Sequence, residues 1–143
     1  MSWNDTVALR TLIQAVPALA SKTFIVEAKN PPPNETVKVS VPYVVLFPAQ
    51  GMDEAERVTS PRSVTNPEFT GWAVGGSAEQ AAIILDLVKA QLVTDGFGVK
   101  VSVAGRTNDR CWFESPVPAQ FDKSVTPPLH YHVFRIGWRS QPA

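Results

Sequence analysis

The spacing of thirteen prolines constrains the fold of this 143-residue chain more than any other feature of its sequence. Each proline fixes its φ angle and lacks an N–H donor, so it interrupts helices and central strands. None occurs between Pro67 and Pro116. That stretch is therefore predicted to hold the regular core. The length of the chain predicts a single domain over residues 1–143.

The charge balance excludes several classes of protein. Thirteen basic and thirteen acidic residues give a net charge of zero, and charged residues make up 18% of the chain, against about 25% in an average globular domain. This composition argues against a strongly basic nucleic-acid binder and against an acidic disordered tail. The chain also lacks a run of about 20 apolar residues and the pattern of a signal peptide. We therefore expect a soluble product made in the cytoplasm, with no membrane partner and little charge to oppose self-association.

Two helices are predicted. Asp5 is the predicted N-cap of a first helix over residues 5–16. Its apolar residues recur at helical spacing: Leu9, Leu12, Ile13 and Val16. Ser77 and Gln80 match a capping box, which predicts that a second helix begins there. This helix is expected to extend to about Val93, before the turn pair Asp95-Gly96.

The remaining apolar segments have the composition or alternation of strands. They lie at residues 23–28, 37–47, 69–74, 99–103, 111–114 and 129–139. The order of helices and strands predicts an α+β fold. We expect one mixed or mainly antiparallel sheet of four to five strands, with both helices on one of its faces.

The second helix has more apolar surface than one buried stripe requires. Its predicted core stripe consists of Ala81, Ile84, Leu85, Val88 and Leu92. Ile83, Leu87 and Ala90 lie outside this stripe and widen the apolar surface beyond about 100°. Either the first helix or a neighbouring subunit would cover this flank.

Residues 48–67 show no sustained periodicity, which is unusual for about twenty residues of a compact domain. Acidic Asp53, Glu54 and Glu56 precede Arg57 and Arg62 in this segment. Such a loop is either a solvated connection or a charged arm that contacts a partner. Arginine suits ion pairs at interfaces better than lysine does.

Residues that could carry out chemistry are few. His130 and His132 share one face of the last strand, as a metal site would require, but a catalytic zinc needs a third protein ligand. Cys111 has no apparent base to activate it. Gly75-Gly76-Ser77 lacks the rest of a phosphate-binding motif. We therefore expect no catalytic site, metal or cofactor. A small metal-binding enzyme that uses the two histidines is the alternative from another class.

The order of several short motifs is similar to that of the tail terminator proteins of long-tailed, siphovirus-type phages that infect actinobacteria. The similarity covers residues 40 to 139, and none of the motifs is catalytic. They are Arg57-Val58-Thr59-Ser60-Pro61, Phe69, the run from Val74 to Ala81, Val88-Lys89, and Pro127-Pro128-Leu129-His130-Tyr131-His132-Val133.

This resemblance implies a virion protein assembled in the host cytoplasm. It would form a homohexameric ring that caps the head-proximal end of the tail tube and stops tube polymerisation. Its partners would be other copies of itself, the tail tube protein and a head-tail connector or neck protein. Genomic DNA would pass through the lumen without being read. Another phage neck or tail tube subunit is the alternative within the same class.

The ring would need two different, complementary patches on each subunit. The predicted subunit-interface residues are Ile83, Leu87, Ala90, Arg57, Arg62, Tyr131 and Trp138. The acidic residues Asp53, Glu54 and Glu56 are predicted to belong to the loop that contacts the tube or a neighbour.

Overall fold

The computed structural model describes residues 3–30, 32–34, 36–49, 64–125 and 127–143. Two α-helices occur in this part of the chain, α1 (Trp3–Gln14) and α2 (Ala78–Leu92), and a short 3-10 helix spans Pro17–Leu19. The first five strands are β1 (Thr23–Ile25), β2 (Tyr43–Ala49), β3 (Glu68–Gly75), β4 (Val93–Thr94) and β5 (Phe97–Gly98). The last five are β6 (Arg106–Asn108), β7 (Trp112–Glu114), β8 (Gln120–Asp122), β9 (Leu129–Gly137) and β10 (Ser140–Pro142).

The described residues form one main sheet and two small ladders. The main sheet has six strands in the order β1-β2-β3-β9-β7, and β8 also pairs with β9. β1 is parallel to β2, and the other pairs are antiparallel. The α+β class and the mixed, mainly antiparallel sheet are therefore confirmed. The prediction of four to five strands was too low by one, because two separate short segments share one edge of β9.

Both helices pack on the same face of this sheet, as predicted. The buried core joins Leu9 and Ile13 of α1 and Ile84 and Val88 of α2 to inward-facing side chains of the central strands. Those strand residues include Val44, Leu46, Phe69, Ala73, Phe134 and Ile136. At the centre, Gly71 pairs with Phe134, whose ring occupies the space that a side chain at Gly71 would need.

The structure confirms Ser77 as the N-cap of α2, and the Gln80 side chain reaches back one residue further than in a standard capping box. The Ser77 Oγ accepts a hydrogen bond from the Gln80 N–H at 3.1 Å, and the Gln80 Oε1 accepts one from the Gly76 N–H at 2.7 Å. The helix ends at Leu92, and Asp95 and Gly96 form a two-residue turn between β4 and β5. Their φ angles of 53° and 81° are those of a type I′ hairpin.

The first helix, Trp3–Gln14, begins and ends two residues earlier than predicted. Asp5 lies inside α1 and is buried, so it is not the N-cap. The helix ends at Gln14, and Val16 N–H donates to the carbonyl of Ile13 in the turn that leads to Pro17.

Two predicted strands were too long. Residues 37–42 are not part of β2, because Pro42 has no N–H to donate and Val37 is held by other groups. The Val37 N–H donates to the carbonyl of Asn34, and the Val37 carbonyl accepts from the Asn30 side chain. β1 likewise stops at Ile25 rather than residue 28.

Residues 99–103 were predicted to form a strand but lie outside every strand assigned in the described structure. Their alternation is real, because Val101 and Val103 are buried and Ser102 is exposed. A continuous ladder is absent here, since the Val101 carbonyl accepts a hydrogen bond from the Asn108 side chain instead of a neighbouring strand. Within this segment, Lys100 forms an isolated antiparallel β-bridge with Arg110. The last predicted strand, residues 129–139, was two residues too long, because β9 ends at Gly137; β10 lies beyond it and pairs with β6.

Candidate functional site

The sheet face opposite the helices carries a row of aromatic side chains. The ring centroids of Phe47 and Trp72 are 5.0 Å apart, and those of Trp72 and Tyr131 are 4.9 Å apart. These residues come from the adjacent strands β2, β3 and β9, whose alternation places them on one face. Trp72 is 38% exposed. We call Phe47, Trp72 and Tyr131 the aromatic row.

An ion-pair cluster borders the aromatic row on the same face. The Arg135 Nη1 donates to the Glu114 Oε1 at 2.9 Å, and its Nη2 lies 3.4 Å from the Glu68 Oε2. The Arg135 guanidinium also lies 5.6 Å from the ring centroid of Trp112. All four side chains remain accessible. Aromatic residues and arginine are the types enriched at protein interfaces, so this face has the composition of a contact surface.

The predicted flank of α2 divides into a covered part and an exposed part. Leu87 is partly buried and packs against the core. The adjacent Gln91 side chain donates from Nε2 to the carbonyl of Leu12 at 2.9 Å and ties the flank to α1. Ile83 is 50% exposed and Ala90 is exposed. Leu87 is therefore covered within the subunit, whereas Ile83 and Ala90 are exposed.

Trp138 cannot serve as the interface residue that the sequence suggested. It is 2% exposed and stacks on Phe69, with ring centroids 5.5 Å apart. Position 138 continues the alternation of β9 on the face of Phe134 and Ile136, so the indole is directed into the core. Tyr131, the other aromatic residue proposed from β9, lies in the aromatic row and is partly exposed.

The charged residues proposed for the contact loop lie outside the described residues. These are Asp53, Glu54, Glu56, Arg57 and Arg62. Their proposed role in contacting a tube or a neighbouring subunit therefore stays a prediction. Pro48 and Ala49, at the start of the predicted loop, belong to β2 instead.

The two histidines do not belong to a recognisable metal site. They stand two residues apart on β9, and the ring of His130 packs 4.6 Å from that of Phe121. Among the described residues, no group of three or more histidine, cysteine, aspartate or glutamate side chains is arranged to hold a metal. The described geometry therefore gives no support to the alternative of a metal-binding enzyme.

Cys111 has the environment of a core residue rather than of a nucleophile. Its side chain is buried, and its Sγ donates to the carbonyl of Leu92 at 3.4 Å. Burial raises the pKa of the thiol, which keeps it protonated and unreactive at neutral pH.

Gly75 and Gly76 form a tight connection between β3 and α2. The Gly76 N–H already donates to the Gln80 side chain, so it is not available to bind a phosphate.

Besides the aromatic row and the ion-pair cluster, two further exposed features were not predicted from the sequence. Phe97, in the β4–β5 hairpin, is 65% exposed, and its position beside an Asp-Gly turn was a usable signal. Val26 is exposed and has a φ of 64°, because the Glu27 N–H donates to the carbonyl of Ile25 across a γ-turn. No sequence signal predicts this turn, since β-branched residues avoid positive φ.

Comparisons with known proteins support the fold. No protein-family model and no curated protein matches the chain. A chain of a native gene transfer agent virion aligns with 94% of this chain and 92% of its own length, with a TM-score of 0.65 and 14% identity. A second solved structure, whose description names no function, aligns with 100% of this chain and 98% of its own, with a TM-score of 0.50 and 14% identity. No described helix has the length and hydropathy to cross a membrane. The chain thus shares its fold, over nearly its whole length, with a component of a virion.

Proposed function

We propose that this protein is a structural subunit of a phage virion, and that it is the tail terminator. The observation that carries the proposal is the full-length fold similarity to a chain of a gene transfer agent virion, which is a phage-like particle. The order of the motifs between residues 40 and 139 supports the more specific assignment. In this role the protein forms a homohexameric ring at the head-proximal end of the tail tube, stops tube polymerisation and joins the tail to the head connector or neck.

The surfaces of the described residues suit repeated contacts with proteins. The aromatic row and the ion-pair cluster cover one face of the sheet, and Ile83 is exposed on the opposite, helical layer. A ring requires two different patches on each subunit, because its contacts are heterologous. Exposed apolar side chains occur on both layers, so the subunit offers more than one surface for such contacts.

Genomic DNA would cross the ring without sequence readout. The zero net charge of the chain suits this role, because strong attraction to phosphates would hold the passing duplex. The proposal therefore places the protein in the tail or neck region of the virion after assembly in the host cytoplasm. It involves no enzymatic reaction and no cofactor.

Tail tubes that lack their terminator provide the test. Purified protein is added to such tubes, and electron microscopy records tube length, the position of bound protein and the joining of heads. We expect a ring at one end of each tube, no further growth and recovery of head joining. Protein bound along the whole tube would instead indicate a tube subunit, and a lack of binding would contradict the proposal.

Two matched variants test whether the aromatic row on the sheet face takes part in capping. Trp72→Ala removes the centre of the aromatic row, and Trp3→Ala removes an exposed aromatic side chain of α1, on the opposite layer. Trp72→Ala should reduce capping by protein that circular dichroism shows to be folded, and Trp3→Ala should cap normally. Equal capping by both variants would show that the aromatic row does not contribute to capping.

A further inference from the structure

The β4–β5 hairpin presents one apolar side chain at the surface. Its two-residue turn leaves Phe97 65% exposed directly after the turn. Exposed phenylalanine is costly in water, and aromatic anchors often dominate the energy of a protein contact. We call this hairpin, residues 93–98, the knob.

The knob is held rigidly against the body of the protein. The Arg110 guanidinium lies 5.7 Å from the ring centroid of Phe97, and its Nη1 donates to the carbonyl of Gly98 at 3.1 Å. Gly98 packs so closely on the carbonyl of Cys111 that no Cβ would fit. A rigid side chain loses little conformational freedom when it binds, so the knob is preorganised for a partner.

An apolar groove of about 380 Å³ lies at the other end of α2. Its walls include Val39, Val41, Tyr43, Pro127 and Leu129, and Lys38 lies at its border. Val41 approaches Gly76, just before α2 begins, whereas the knob follows the last residue of α2. Fifteen helical residues span about 22 Å, so knob and groove lie at opposite ends of the subunit.

We propose that Phe97 of one copy inserts into the groove of the next copy. This inference rests on the proposed ring, because a contact between opposite ends of identical subunits is heterologous and can close into a ring. Each of the two surfaces has one acidic and one basic group, so that opposite charges can pair. Asp95 lies in the knob and Arg110 lies over the Phe97 ring, whereas Lys38 lines the groove and Asp122 is paired with Leu129 of its wall.

The charge of Asp122 reaches the groove wall. The pKa of Tyr43 is raised, first by burial and then by the negative charge of Asp122. Lys38 in turn helps to lower the pKa of Asp122, after the stronger effect of its hydrogen bonds from Ser124. An acid and a base therefore flank the groove. They would meet the base and the acid of the knob.

Two variants separate the two halves of the contact. Phe97→Ala removes the knob and keeps the groove, and Val39→Glu places a carboxylate in the groove and keeps the knob. Each variant alone should sediment as a monomer at concentrations where the wild type is a larger oligomer. An equal mixture should form a 1:1 heterodimer and nothing larger, because each subunit retains only one half of the contact. Loss of an aromatic anchor should weaken association about thirtyfold or more.

The controls are exposed apolar residues that belong neither to the knob nor to the groove. Val37→Glu places a carboxylate on the segment that carries Val39 but outside the groove, and Val117→Ala removes another exposed apolar side chain. Both should associate like the wild type, and circular dichroism should show every variant folded. A variant at position 39 that fails to fold is replaced by Leu129→Glu.

Three results would overturn the contact. They are a wild type that stays monomeric, a Phe97→Ala variant that associates normally, and a mixture that remains monomeric. A Phe97→Ala protein that forms normal rings but no longer binds tubes would assign the knob to the tube protein instead. The proposed function is judged separately by the capping of tubes, so a ring built through other residues would leave it intact.

Discussion

Gly71→Ala is predicted to destabilise the subunit strongly, although it adds a single methyl group. A Cβ at this position would lie 2.7 Å from Cε1 of Phe134 and still closer to the Cζ and Cε2 atoms. Neither partner can move away freely. Gly71 is paired with both Leu46 and Phe134 in the sheet. The Phe134 ring is fully buried and stacks on Phe113, with centroids 5.4 Å apart.

The expected decrease in the free energy of unfolding is the sum of two opposing contributions. Overpacking a core costs about 1–3 kcal/mol and occasionally more, and a clash with three atoms of one ring belongs at the upper end. Replacing a strand glycine with alanine returns about 0.5–1 kcal/mol, because the unfolded chain has less freedom to lose. The free energy of unfolding should therefore fall by about 2–3 kcal/mol. For a chain of this size, the melting temperature should fall by roughly 6–12 °C.

A double-mutant cycle tests the cause of this loss. Thermal and urea unfolding are followed by circular dichroism for the wild type, Gly71→Ala, Phe134→Leu and the double variant. Because leucine has no ring above residue 71, the alanine should cost less than about 1 kcal/mol in the Phe134→Leu background. An equal cost of Gly71→Ala in both backgrounds would refute the steric argument.

Three further predictions address the helix and the core. Ser77→Ala should lower the free energy of unfolding by about 1 kcal/mol, because it removes the acceptor for the Gln80 N–H; an unchanged urea midpoint would contradict this. Leu87→Glu should unfold the subunit or lower its melting temperature sharply, whereas the exposed Ile83→Glu should leave the thermal transition near that of the wild type. Cys111 should react with iodoacetamide only on unfolding, since burial raises its pKa, and rapid labelling of the folded protein at pH 7 would show otherwise.

The features predicted correctly from the sequence depend on residues close together in the chain. The cap of α2 needs only Ser77 and a residue three positions later. The hairpin turn at Asp95-Gly96 needs two residues that tolerate positive φ. These interactions are local, so the residue types carry the information.

The predictions that were wrong concern groups whose partners are distant in the chain. Trp138 looked like an exposed aromatic residue of the last strand, but it is buried against Phe69, nearly seventy positions earlier. The segment 99–103 alternates like a strand, yet its Val101 carbonyl is satisfied by the Asn108 side chain. Alternation shows which side chains are buried and does not show which group accepts each backbone hydrogen bond.

The aromatic row follows from a sequence pattern that the sequence analysis did not use. The segment Tyr43–Ala49 is apolar at nearly every position, although an antiparallel strand with one solvated face would alternate with polar residues. In β3, Trp72 and Val74 lie on the face opposite Phe69 and Ala73, so both faces of this strand are apolar as well. Because the two described helices cover one face only, the apolar residues of the second face are not required by the packing of those helices. On that face Val45 and Val74 are buried within the subunit, whereas Trp72 remains 38% exposed. This second face is where the contacts of the proposed ring or of the tube should first be sought.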